Sequence, residues 1–222
     1  MEIIKNKVFS ESEHSDYAYV SDIDFCMRKL YYKRFLQSVH YFETEINFSE
    51  GNAIHEVVQK IFKDDVGEKY NMRVFNEVTV NSNLIHGRID VLMANNKEVF
   101  IIELKSTKML PSKPYSHHIS QLNTYMNFYM KGKRKVRAFL LYIEKTTYGS
   151  NSPMREFEIK YSYEKYINVM QRAQILNKYL TQHALPPAEA KTVKTMAWEC
   201  RYCSYFLKCS NNENIDIEGD IN

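Results

Sequence analysis

The pattern of apolar and polar residues predicts a mixed α/β protein in which the elements run helix, three strands, helix, strand. Apolar residues that alternate with polar ones, or form short runs between turn residues, predict strands at 73–80, 84–93, 99–107, 136–144 and 155–161. Apolar residues at helical spacing predict helices at 51–66, 116–130 and 166–180. A short helix containing Cys26 is also expected, with Ser21 as its cap. In the helix at 51–66, the apolar face is expected to hold Ile54, Val57, Val58, Ile61 and Phe62, with His55 at its margin.

A predicted hairpin with its turn at 94–97 carries the charged residues of greatest chemical interest. Side chains alternate along a strand, so Glu103 and Lys105 should project from one face and Ile102 and Leu104 from the other. Asp90 on the paired strand would then converge on Glu103. Two such carboxylates repel unless a cation or a proton lies between them, and oxygen ligands suit Mg²⁺ or Mn²⁺. The alternative is an edge strand whose charges are solvated.

The four cysteines suggest a second site. Cys200, Cys203 and Cys209 form a C-x2-C-x5-C pattern, and Cys26 lies far upstream. Four thiolates suffice for an iron–sulfur cluster or a structural zinc ion. Buried free thiols are the alternative, and disulfides fit an intracellular chain poorly.

Charge and composition change this picture only slightly. Hydrophobic residues make up 44% and charged residues 26% of 222 residues, and no apolar run is long enough to span a bilayer, so we expect a cytoplasmic protein without a membrane partner. Four acids near the C-terminus, without any Lys or Arg among them, leave the rest of the chain mildly basic. In the segment at 28–34, basic residues alternate with aromatic ones, which suits either DNA contacts or a solvated helix with tyrosines packed beneath it.

Taken together, the motifs resemble the CRISPR-associated RecB-like nucleases of the PD-(D/E)xK superfamily. The matching positions, in order, are Cys26, Arg28, Lys29, Leu30, Tyr31, Gly51, His55, Gly87, Asp90, Glu103, Lys105, Gln121, Tyr125 and the three C-terminal cysteines. Ile89 and Met27 stand where the family's motifs usually have proline.

This resemblance implies a metal-dependent exonuclease that degrades single-stranded DNA, 5′→3′ in most relatives and with endonuclease activity in some. It implies that the family member trims prespacers beside the CRISPR integrase complex and carries a 4Fe–4S cluster rather than a 2Fe–2S cluster. Viral or recombination nucleases, a zinc-stabilised nuclease and an iron–sulfur DNA-end-binding module with weak cleavage remain alternatives. Whether the chain forms a homo-oligomer is open.

The resemblance also assigns roles to residues. The divalent Mn²⁺ or Mg²⁺ would be held by His55, Asp90, Glu103 and the Leu104 carbonyl. Lys105 would act on the attacking water or the phosphate, with Gln121 and Tyr125 orienting Lys105 or the strand. Candidate DNA contacts are Arg28, Lys29, Tyr31, Arg88 and Tyr125. The expected segments are an N-terminal helical segment at 1–50, the nuclease core at 51–185, the cluster segment at 186–209 and a flexible acidic tail at 210–222.

Overall fold

The computed structural model describes residues 8–10, 18–36, 38–40, 42–145 and 153–211, with side chains at 18–36, 46–145 and 153–211. The chain divides into two compact units. One unit comprises residues 47–82 and 86–169, and the other comprises 1–46, 83–85 and 170–222. Most of the predicted acidic tail, residues 212–222, lies outside the described residues.

The unit at 47–82 and 86–169 is built on a mixed sheet, which confirms the predicted α/β core. Its strands are β4 (Arg73–Asn81), β5 (Ile85–Ala94), β6 (Glu98–Thr107), β7 (Lys135–Glu144) and β8 (Met154–Ile159). They lie in the order β4-β5-β6-β7-β8. Among these five described strands, β6 and β7 run parallel and the other neighbouring pairs are antiparallel. The helix α4 (Ser116–Tyr129) connects the two parallel strands, as a parallel crossover requires.

A long helix covers one face of this sheet. This helix, α2 (Phe42–Ile61), begins earlier than predicted and continues as a π-helical turn at Phe62–Val66 and the short α3 at Gly67–Lys69. The side chains of Val58, Phe62 and Val66 pack on a core formed by Met72, Val91, Met93, Ile102 and Leu104. The expected apolar face was partly wrong, because Val57 and Ile61 are exposed.

Gly51 allows α2 to approach the end of β6 closely. A Cβ atom at this position would lie 2.9 Å from the Ser106 hydroxyl oxygen, which is closer than real Cβ contacts. The glycine therefore permits this approach, since a Cβ atom there would require the Ser106 hydroxyl to move.

The other unit contains the N- and C-terminal segments. Its elements are β1 (Val8–Ser10), β2 (Ala18–Tyr19), α1 (Met27–Phe35), β3 (Ser38–His40), the part of α5 (Tyr163–Thr181) that begins at Met170, α6 (Glu189–Thr192), a 3₁₀ helix at Lys194–Tyr202 and α7 (Phe206–Ser210). Strands β1 and β3 pair antiparallel. The predicted short helix begins later than expected, because Cys26 is its N-cap residue and Ser21 lies in a preceding turn. None of the described helices has the length and hydropathy that crossing a bilayer requires.

Candidate active site and cysteine pocket

The hairpin of β5 and β6 brings Asp90 to Glu103, and the ladder between the two strands ends beside them. The last paired residues are Val91 and Ile102. Beyond them, the Leu104 N–H donates to the Asp90 Oδ2 atom at 2.7 Å instead of to a backbone carbonyl of β5. The Asp90 side chain therefore completes the strand pairing and is fixed by it.

Glu103 is almost fully enclosed, with 2% of its surface exposed. Its Oε1 atom accepts hydrogen bonds from the Lys105 ammonium at 2.8 Å and from the Gln121 amide at 2.7 Å. Its Oε2 atom is buried without a hydrogen-bond partner among the described residues. Burial, followed by the charge of Asp90, raises the pKa of Glu103 to about 8 despite these two donors. The ionised form of Glu103 therefore needs additional positive charge nearby to be stable at neutral pH.

Two residues of α4 hold the site from the other side, where Gln121 and Tyr125 lie one turn apart. The Tyr125 hydroxyl donates to the Arg88 carbonyl at 3.0 Å and accepts from the Gln121 amide at 3.1 Å. Gln121 also contacts Glu103. The sequence predicted that this pair orients Lys105 or the strand and that Tyr125 contacts DNA. Instead, their hydrogen bonds go to Glu103 and to the backbone of β5, and Tyr125 is only 1% exposed, so its ring is not accessible to DNA.

His55 lies beside the carboxylates, with its Nδ1 atom 3.9 Å from the Asp90 Oδ1 atom. Burial lowers the pKa of His55, although the charge of Asp90 opposes this shift. A neutral imidazole offers the lone pair that a metal ion requires. The structure therefore brings His55, Asp90, Glu103 and Lys105 together in one place.

Sequence reasoning missed a polar group next to Asp90. Gln59 is buried and donates from its amide to the Glu77 carboxylate and, at 3.2 Å, to the Asp90 carbonyl. Glu77 also forms an ion pair with the predicted DNA contact Arg88. The backbone of Glu77 has φ +56°, which is unusual for a residue with a side chain. The alternating pattern of β4 contains no signal for this conformation.

The donor set fits a divalent cation. Two carboxylates, one of them with an unpaired buried oxygen, and a neutral histidine are the ligands that Mg²⁺ or Mn²⁺ accepts. Within the described residues, no three His, Cys, Asp or Glu side chains already lie close enough to hold an ion by themselves. Small side-chain movements, with water or the Leu104 carbonyl as further ligands, would be needed to complete the site.

All four cysteines line one pocket in the unit that contains the N- and C-terminal segments. Burial raises the pKa of the Cys200 thiol, and the neighbouring Cys26 and Cys209 raise it further. Grouped thiols of this kind favour a bound metal centre, because a metal removes the penalty for forming several thiolates together.

A network of carboxylates around Arg172 holds the wall of this cysteine pocket. The Cys26 N–H donates to Glu199 at 3.1 Å, and the Met27 N–H donates to Glu189 at 2.9 Å. Glu189 in turn receives two hydrogen bonds of 2.9 Å from the Arg172 guanidinium. The start of α1 is thus tied to the C-terminal segment by protein groups alone.

Of the predicted DNA contacts in α1, Tyr31 is wrong. Its side chain is 1% exposed and packs with Tyr32 and Phe35, so it cannot stack on a base. The Arg28 Nε atom donates to the Pro186 carbonyl at 2.7 Å, and Lys29 lines the cysteine pocket. The reading in which tyrosines pack beneath a charged helix therefore describes this segment better.

Known proteins resemble this chain over most of its length. The PD-(D/E)XK nuclease superfamily matches residues 68–210. The chain is 24% identical over 220 residues to the CRISPR-associated exonuclease Cas4 of Saccharolobus solfataricus, and the match covers 93% of this chain and 95% of that protein.

Solved structures show a similar fold. The crystal structure of SSO0001 superposes with a TM-score of 0.56 at 21% identity and covers 90% of this chain and 89% of its own. An alkaline exonuclease from Laribacter hongkongensis superposes with a TM-score of 0.50 at 10% identity, covering 90% of this chain and 99% of its own. At these identities the likeness concerns the fold.

Proposed function

Because this chain belongs to the PD-(D/E)XK nuclease superfamily, we propose that it is a divalent-metal-dependent exonuclease that degrades single-stranded DNA, with 5′→3′ polarity. The superfamily match and the Cas4 relative confirm the resemblance to RecB-like nucleases that the motifs indicated. The observation that carries the proposed activity is Glu103, a buried carboxylate with one unpaired oxygen, lying beside Asp90, Lys105 and His55.

The chain supplies distinct groups for phosphodiester hydrolysis. A divalent ion held by Asp90, Glu103 and His55 would lower the pKa of a bound water and offset charge on the scissile phosphate. Burial alone would lower the pKa of Lys105, but Glu103 and Asp90 outweigh this and raise it. With both carboxylates ionised, as a bound cation would keep them, Lys105 is protonated and suits charge stabilisation at the phosphate rather than general-base work. Gln121 holds Glu103 in position through its amide.

The test is release of labelled nucleotides from single-stranded DNA in Mn²⁺, compared with EDTA. Substrates blocked at the 5′ or the 3′ end give the polarity. Lys105→Ala should lower the rate at least ~100-fold, a loss comparable to that of one transition-state-stabilising donor. Substantial Mn²⁺-dependent cleavage by purified Lys105→Ala would contradict the assignment of this residue.

We further propose that the cysteine pocket binds an iron–sulfur cluster of the 4Fe–4S type. Each iron of such a cluster takes one thiolate. The support is that all four cysteines line one pocket, which provides the four thiolates that such a cluster takes. Iron and sulfide content of the purified protein tests this, and a colourless protein with stoichiometric zinc would contradict it.

The biological role we propose is trimming of prespacers in CRISPR adaptation, in company with the integrase complex. Its support is the similarity to a CRISPR-associated exonuclease over nearly the whole chain. The experiment compares duplex DNA carrying single-stranded overhangs with and without the integrase proteins. Overhang removal that is unchanged by those proteins would favour a nuclease that acts outside CRISPR.

A further inference from the structure

The start of α4 and the neighbouring strand β7 form a group of aromatic and imidazole side chains next to Lys105. Tyr142 on β7 pairs with Lys105 across the parallel strands. Its hydroxyl accepts from the Tyr115 N–H at 3.2 Å and lies 2.7 Å from the His118 Nδ1 atom. The nuclease mechanism above assigns no role to Tyr115, His117 or His118.

We assign the His118 tautomer from its contact with the Tyr142 hydroxyl. That hydroxyl already accepts one hydrogen bond, from Tyr115, and within the described part of the chain His118 is the remaining partner for its own proton. Donation to Nδ1 uses this proton and leaves the hydrogen of the imidazole on Nε2. Among the described residues the His118 ring forms its hydrogen bond through Nδ1, and the residue is only half-buried, which leaves the Nε2–H group to pair with an external acceptor.

His118 also carries no charge. Burial, followed by the charges of Lys105 and His117, lowers its pKa to about 2. Its neutral N–H group can therefore bind a phosphate oxygen near the Lys105 ammonium without repelling that ammonium.

Beside His118, two rings form a platform. Tyr115 and His117 are stacked with ring centroids 5.7 Å apart and planes 9° apart, and Tyr115 is 47% exposed. A stacked pair in which Tyr115 is exposed and His117 half-buried, next to a phosphate site, is suited to the base of an unpaired nucleotide, because every base has an aromatic face.

We propose that Tyr115, His117 and His118 form a nucleotide-binding subsite for single-stranded DNA, in which His118 donates to a phosphate neighbouring the scissile one and the Tyr115–His117 pair stacks on its base. This subsite rests on the proposed function, since it names how the same active site selects an unpaired strand. The Tyr142 hydroxyl acts as a positioning group through His118.

The experiment measures binding of a fluorescent single-stranded oligothymidine in Ca²⁺, with intact substrate verified afterwards. His118→Ala should weaken binding about tenfold, the expected loss for a hydrogen bond to a charged group. His118→Gln places an amide N–H near the position of Nε2 and should restore most of the affinity. Tyr142→Phe should give an intermediate loss of affinity, because the His118 imidazole can then adopt either tautomer. In Mn²⁺, the KM of His118→Ala should rise more than its kcat falls.

A matched strand with one abasic position tests the stacking platform. Tyr115→Ala should weaken binding of the complete strand at least fivefold and leave binding of the abasic strand unchanged. Tyr70, which is 61% exposed elsewhere in the same unit, provides the control Tyr70→Ala, for which we expect unchanged affinity. Melting temperatures identify any variant that loses affinity by unfolding. Because the Tyr115 side chain is exposed, its substitution should not disturb the core, so this test does not depend on how His118→Ala folds.

The outcomes separate this subsite from the nuclease proposal. Wild-type affinity in both His118→Ala and Tyr115→Ala, or no binding of single-stranded DNA by the wild-type protein, would overturn the subsite. If the wild-type protein binds the strand, the variants lose that binding, and no divalent metal supports cleavage, the subsite stands and the nuclease proposal fails.

Discussion

Glu103 shows how one buried residue can make stability depend on pH. Its pKa in the folded protein, raised by burial and then by Asp90, is about 8 against 4.5 in a solvated chain. Between these values the folded state keeps a proton that the unfolded state has released. The free energy of unfolding should therefore fall as pH rises through this window when metal is absent.

Substituting Glu103→Gln tests this dependence. The variant keeps the shape of the side chain but cannot titrate, so its metal-free melting temperature should change less between about pH 5 and about pH 8 than that of the wild type. Added Mn²⁺ should stabilise the wild-type protein most at the upper end of that range and should stabilise the variant little. Equal pH dependence of the two metal-free proteins would show that Glu103 is ionised throughout.

Substituting His55 distinguishes a structural role of this side chain from a role as a metal ligand. Its side chain is partly exposed and its imidazole lies near Asp90. We expect His55→Ala to weaken Mn²⁺ binding by about tenfold or more while lowering the free energy of unfolding by only ~1 kcal/mol. Calorimetric titration and thermal melting measure the two effects. A large loss of stability with unchanged Mn²⁺ affinity would make His55 a packing residue.

At the scale of elements, the main strands and helices could be predicted from the sequence. The hairpin that carries Asp90 and Glu103 was predictable because polar residues at 94–97 interrupt two apolar runs, and the Ala94–Val99 pair closes the turn there. The buried face of α2 was harder, because Val57 and Ile61 are apolar yet exposed. Helical spacing identifies a face, but it does not reveal which apolar residues the sheet covers.

Contacts that depend on tertiary structure could not be predicted. Gln121 and Tyr125 were identified as a pair from their spacing, whereas their partners, Glu103 and the Arg88 backbone, depend on where α4 crosses the sheet. The burial of Tyr31 likewise depends on residues such as Leu180 and Tyr205, which are far away in sequence. Local patterns carry no information about such neighbours.

Glu77 is an irregular position inside an otherwise regular strand, and it allows a test of backbone strain. The register of β4 and β5 includes the pairs on either side of Glu77 and Asp90 but omits that pair. With φ at +56°, any residue that has a Cβ atom pays a cost that glycine does not.

Glu77→Gly and Glu77→Ala both remove the carboxylate that Gln59 and Arg88 contact. They differ mainly in backbone freedom, so the glycine variant should be more stable than the alanine variant by ~1 kcal/mol. Urea unfolding of the two variants measures this difference. If the alanine variant is at least as stable, position 77 is not strained.

At the scale of the whole molecule, the first and last parts of the described chain fold together in one unit. The hydrogen bonds from Arg172 to Glu189, and from the Cys26 and Met27 amides to Glu199 and Glu189, contribute to this connection. A cluster in the cysteine pocket would therefore add to a connection that already exists.

The carboxylate network around Arg172 predicts different consequences for substitutions of Cys26 and of Arg172. Cys26→Ser should lose iron but keep the segment at 194–209 resistant to proteolysis, because the carboxylate network is intact. Arg172→Ala should reduce the free energy of unfolding by about 2–3 kcal/mol, even in metal-free protein, because it leaves Glu189 without its charged partner. Limited proteolysis and iron content are measured on the same preparations. Rapid cleavage of Cys26→Ser at 194–209 would show that the cluster makes the connection.

The hydrogen bond from the Leu104 N–H to Asp90 provides a natural spectroscopic probe. An amide proton that donates to a carboxylate is deshielded according to the charge on that carboxylate, so its nuclear magnetic resonance frequency follows the electronic state of Asp90. A cation that draws electron density from Asp90 should therefore move the Leu104 amide resonance while amides in the remote β7–β8 ladder keep their frequencies. With diamagnetic Mg²⁺, this single resonance would report occupancy of the proposed metal site without a substrate, a dye or any turnover.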